Sequence, residues 1–183
     1  MRKANYSIAI ILLFSTLLTL NSCKVPLTST LKTNIENKDL KLGKVQFYLS
    51  RKFELWRKTT QEDAQIKRGK VKFKDGAYYE IVVFKKGLQG IAEYYGKTLV
   101  EVRFEQGKDK KLTFSYDYNT DHYMLKYKIN TRGEGNGTLK YGDYSYRVVH
   151  SGDYRNRPFL KVKKNQSKKV HRDVRKARGM KVR

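Results

Sequence analysis

From residue 44 onward the apolar positions recur with a period of two, which predicts strands with one buried face. In "KVQFYLS", Val45, Phe47 and Leu49 alternate with Gln46, Tyr48 and Ser50. "KVKF" sets Val71 and Phe73 between Lys70, Lys72 and Lys74, and Asp75-Gly76 then marks a two-residue hairpin loop before "AYYEIVVF". "TLVEVRF" puts Val100, Val102 and Phe104 on one face and Glu101 and Arg103 on the other. "LTFSYDY" alternates Leu112, Phe114, Tyr116 and Tyr118 with Thr113, Ser115 and Asp117, and "HYMLKYKI" continues with Tyr123, Leu125, Tyr127 and Ile129. Past the glycine-rich "TRGEGNG", read as a hairpin turn, come "TLKYGDYSYRVV" and "RPFLKVKK". A short helix fits "TQEDAQIK" or "LQGIAEYY". About eight to ten closely spaced strands predict a mainly β domain over 44–164, as a single antiparallel β-sandwich or a small β-barrel.

The flanks follow other patterns. "MRK" is a short positive start, and "IAIILLFSTLLTL" is an apolar run of thirteen residues. That run is shorter than the ~20 residues a membrane-spanning helix needs, so 1–22 reads as a secretory signal peptide. Leu20-Asn21-Ser22-Cys23 resembles the lipobox of bacterial lipoproteins, with an aliphatic residue three before the cysteine and a small one just before it. The resemblance covers residues 1–23. It implies that Cys23 becomes the first mature residue, acylated with palmitate-type chains that hold the protein on a membrane. Cys23 is the only cysteine, so the mature chain has neither disulfides nor a thiol nucleophile in its body. The basic signal, the Asn-Ser-Cys ending and the Tyr- and Lys-rich body are similar to small envelope lipoproteins of Bacteroidota. This implies the cell outer membrane. No acidic run follows the cysteine, which favours the periplasmic face over the cell surface. Residues 23–43, rich in Thr, Asn and Lys, are expected to be a flexible tether after the lipidated cysteine.

Charge adds a second theme. The chain carries 41 Lys and Arg against 17 Asp and Glu, a net +24. Residues 161–183 hold eleven of the basic residues and one acid, Asp173. The alternation is lost in 165–183, a basic tail expected to be disordered or a short helix. Such a field attracts polyanions and weakens with salt. The tail candidates are Lys168, Lys169, Arg172, Arg175, Lys176, Arg178, Lys181 and Arg183. A second candidate is an aromatic-basic surface of Tyr144, Tyr146, Arg147, Tyr154, Arg155 and Arg157, where rings beside guanidinium groups suit sugars, phosphates or bases. Nucleic acid is not the expected partner, because an envelope lipoprotein rarely meets it.

Catalytic patterns are missing from the sequence. His122, His150 and His171 lack the paired spacing of a zinc site, and there is no nucleophile elbow, His-Glu-x-x-His helix or phosphate loop. Glu101, Glu105, Asp117 and Asp121 fall on or near adjacent strands, but among basic neighbours that suit cross-strand ion pairs better than acid–base work. No enzyme, cofactor or metal is therefore expected. The expected function is a non-catalytic accessory or structural subunit of an outer-membrane assembly, anchored by lipid and bound to an envelope protein. The alternative is a polyanion-binding module for lipopolysaccharide, anionic lipid or an acidic glycan. A carrier of a lipid or small ligand comes third.

Overall fold

The computed structural model describes residues 23–37, 42–60, 62, 70–129 and 137–164. Residues 1–22, expected to be a signal peptide, the basic tail with its eight candidates, "RGEGN" of the glycine-rich turn and most of "TQEDAQIK" lie outside the described residues. Thirteen strands and one helix are described: β1 (Lys24–Pro26), α1 (Ser29–Glu36), β2 (Gln46–Leu49), β3 (Phe53–Thr59), β4 (Lys70–Lys74), β5 (Ala77–Phe84), β6 (Gln89–Tyr95), β7 (Leu99–Arg103), β8 (Lys111–Asp117), β9 (His122–Leu125), β10 (Lys128–Ile129), β11 (Gly137–Tyr141), β12 (Tyr144–Val149) and β13 (Leu160–Lys163). The count exceeds the expected eight to ten because several strands are only two to four residues long.

Two antiparallel sheets pack as a sandwich. The first runs β1-β13-β2-β6-β7-β8-β9 and the second β10-β11-β12-β3-β5-β4. On β2, β7, β8 and β9 the core residues Phe47, Leu49, Val100, Val102, Leu112, Phe114, Tyr123 and Leu125 are those that the period-two pattern predicts. Phe73, Tyr118 and Ile129, set on the same faces, are instead exposed, because β4 and β10 are edge strands and Tyr118 falls past the end of β8. Strand β3 was not among the expected strands. Val100, Val102, Leu112, Phe114, Leu125, Leu160 and Val162 of the first sheet face Phe53, Leu55, Phe84, Tyr146 and Val148 of the second, all buried. Phe53 and Phe84 stack at 4.6 Å between ring centroids, and Phe84 meets Tyr141 and Phe104 edge-on. Asp75 and Gly76 both take positive φ, 50° and 73°, as the predicted β4–β5 hairpin loop requires.

Two expectations are corrected. "LQGIAEYY" is strand β6, not a helix. Its inward positions are Gly90 and Ala92, because a side chain at Gly90 would lie 2.6 Å from Val102 Cγ1 and 2.7 Å from the Phe104 ring. Small residues inside and Ile91 outside hide the alternation, and a register shift between Ala92 and Tyr94 disturbs it further.

The expected tether over 23–43 is instead folded through its described part. β1 extends the first sheet by pairing with β13. Helix α1 is capped by the Thr28 side chain, which accepts from Leu31 N at 3.1 Å. Leu27, Ile35 and Leu42 are fully buried, and Ser29 N and the Tyr116 hydroxyl both donate to Asp121 Oδ1. Three leucine or isoleucine side chains inside the core outweigh the polar composition of the segment.

Candidate functional site

β1 puts Cys23 at an edge of the first sheet. Lys24, Val25 and Pro26 pair with Lys163, Val162 and Lys161, and Lys164 N donates to Cys23 O at 2.9 Å. The register is fixed by burial next to it: Leu27, whose N–H donates to Leu160 O at 2.9 Å, is completely enclosed. Cys23 itself is exposed, with a free thiol. The residue expected to carry the acyl group and the root of the basic tail are thus neighbours across one ladder. Lys24, Lys161, Lys163 and Lys164 share this corner, and Lys24 Nζ lies 4.0 Å above the Tyr48 ring. That cover explains why Tyr48, expected on the polar face, is buried.

The aromatic-basic candidates do not form one surface. On β12, Tyr146 points into the core and burial raises its hydroxyl pKa, whereas Arg147 faces outward beside Trp56 of β3. Tyr144 is exposed, with the Arg57 guanidinium 3.9 Å above its ring. Arg57 is in turn paired with Glu80, whose hydrogen bond holds its pKa up against the opposing effect of burial. Arg155 is exposed in the short 3-10 turn Tyr154–Asn156. Arg157 is only 5 % exposed and bonds Asp117 Oδ2 at 2.8 Å, so it braces the fold. The Tyr154 side chain lies outside what is described. Strand alternation separates neighbours in sequence, and the buried Arg157 is committed to a carboxylate.

The other titratable candidates are also accounted for structurally. Glu101 pairs with Lys111, Glu105 with Lys110, and Asp117 with Arg157, while Asp121 accepts from Ser29 N and Tyr116. His122 stacks on Phe159, and burial lowers its pKa; the Tyr127 hydroxyl contacts His150 Nε2 at 2.8 Å. Among the described residues no group of three His, Cys, Asp or Glu could hold a metal ion.

One surface escaped the sequence reading. Trp56, Tyr79 and Ile81 share the outer face of the second sheet, because Trp56 opposes Ile81 and Tyr79 opposes both Lys58 and Lys72. "AYYEIVVF" is largely apolar on both faces, and that doubled pattern is the clue to an apolar outer platform. No family model matches the chain, and neither the curated proteins nor the solved structures give a significant match.

Proposed function

We propose that the protein is a lipid-anchored, non-catalytic envelope protein, an accessory or structural subunit of an outer-membrane assembly, facing the periplasm. The observation that carries this reading is the hydrogen bond from Lys164 N to Cys23 O. Through it the acylation site and the basic tail of 165–183 leave the domain at one point. An acylated Cys23 would hold the tail against the headgroups, where each Lys or Arg contributes about 1 kcal/mol on an anionic surface. The sandwich is then free to present its faces to a protein partner. Exposed Phe73, Ile91 and Tyr94 on its strands suit such a contact. The carrier reading draws no support from an interior filled by Phe47, Phe53, Phe84 and Phe114.

The test is crosslinking in intact cells, followed by recovery with an antibody against the folded domain and mass spectrometry. A tag within 24–36 would disrupt β1 or α1. A protein partner recovered in stoichiometric amounts is the expected result. A monomer in detergent that crosslinks only to itself or to lipid would overturn the subunit assignment.

A further inference from the structure

The outer face of the second sheet carries an oriented aromatic platform in a cationic frame. Trp56, Ile81 and Val83 floor a shallow open depression of about 660 Å³, and Lys52, Lys72 and Lys85 stand around it. The Tyr79 ring lies 5.7 Å from the indole. Trp56 Nε1 donates to Glu54 Oε2 at 2.9 Å, and Lys52 Nζ holds Glu54 Oε1 at 2.7 Å. The one acid on this floor is therefore occupied in fixing the indole and answering Lys52. Lys52 also lines an adjoining depression of about 460 Å³ with Arg51, Lys86 and Lys161. The two hollows make a basic track with a stacking surface at one end.

We infer that this face binds an acidic polysaccharide, with a sugar ring stacked on Trp56 and uronate, sulfate or phosphate groups along Lys72, Lys85, Lys52 and Lys86. The chemistry fits point by point. A half-buried indole held edge-on by Glu54 offers a flat apolar surface at little ordering cost, which matches the C–H face of a pyranose. Flexible lysines, joined by Arg51 in the second hollow and by Arg147 opposite Trp56 on the same face, space positive charge along a shallow track and suit charges repeated along a polymer. Nucleic acid shares the stacking and the charge, and the choice of a glycan over it rests on the envelope address proposed above.

Trp56 is the only tryptophan of the chain, so its emission reports on this face alone and not on the tail. The experiment titrates the full-length protein in detergent with a polygalacturonate decamer, a neutral maltodextrin of equal length, and a single-stranded oligodeoxynucleotide of equal charge. The decamer is expected to shift Trp56 emission saturably. It should bind at least tenfold tighter than the neutral glucan and tenfold more weakly in about 0.5 M salt. Lys72→Glu with Lys85→Glu, both at exposed positions, should weaken it about tenfold while circular dichroism and melting stay unchanged. An unmoved emission, an equal response to the neutral glucan, or indifference to the double substitution would overturn the inference. Tighter binding of the oligonucleotide would overturn the glycan assignment. Lipid labelling of Cys23 on the same preparation tests the anchor separately, so either reading can fall alone.

Discussion

His122 lies face to face with Phe159, ring centroids 4.6 Å apart and 17° between planes, at a partly buried position in β9. Burial lowers its pKa, and the nearby carboxylates of Asp121 and Asp117 offset only part of that. The folded chain therefore binds fewer protons than the unfolded chain as pH falls through the ordinary imidazole value of about 6.5. The stability this neutral ring contributes is complete above that pH and is lost as pH drops towards the lower folded pKa. His122→Phe keeps the stack and removes the titration. Thermal melts between about pH 7.5 and 5 should have a flatter slope in the variant than in the parent, and identical slopes would clear His122 of the effect. Arg157 makes the complementary point: a guanidinium that looks like a ligand group in "RNRP" is held inside the fold by Asp117 and the Leu125 carbonyl.

At the scale of elements, α1 and β1 decide where the domain starts. Ile35 on α1 is 1 % exposed, so Ile35→Ala should cost about 2–5 kcal/mol, read as a lower urea midpoint with an unchanged m-value. A tether would tolerate the change without loss. Strands β7 and β8 were legible in the sequence because each has one dry face and enough residues to display it. β1 has three residues, too few for a period, and its pairing with β13 joins opposite ends of the chain. The helix was legible in principle: Leu27, Leu31 and Ile35 recur every four residues just after the start of the segment, with Thr28 as cap. Thr, Asn and Lys between them mask that stripe. The candidate site divided in the same way. Cys23 is proposed as a site from local spacing alone, whereas its bond to Lys164 and the Trp56 platform depend on strand partners distant in sequence.

At the scale of the whole molecule, the proposed anchor at Cys23 and the root of the basic tail meet at one junction. Under the proposed function that junction sets how acyl chains and charge combine on a membrane. Lys164 N is 2.9 Å from Cys23 O, far less than the Debye length of about 8 Å at physiological salt. Were Cys23 acylated as proposed, the chain beyond Lys164 would start within the electrostatic reach of the surface that takes up the acyl chains, and its binding there would become intramolecular. Acyl chains contribute about 0.8 kcal/mol per buried methylene and do not respond to salt, whereas the eight basic residues beyond 164 do. The proposed function thus requires the two contributions to separate on vesicles of about one-third anionic lipid. Cys23→Ser protein should sediment with the vesicles at about 50 mM salt and leave them at about 500 mM. Acylated protein ending at Lys164 should stay bound at both. A Cys23→Ser protein that ignored lipid charge at low salt would uncouple the tail from the membrane. The basic corner at Lys24, Lys161, Lys163 and Lys164 would then have to face a protein partner instead.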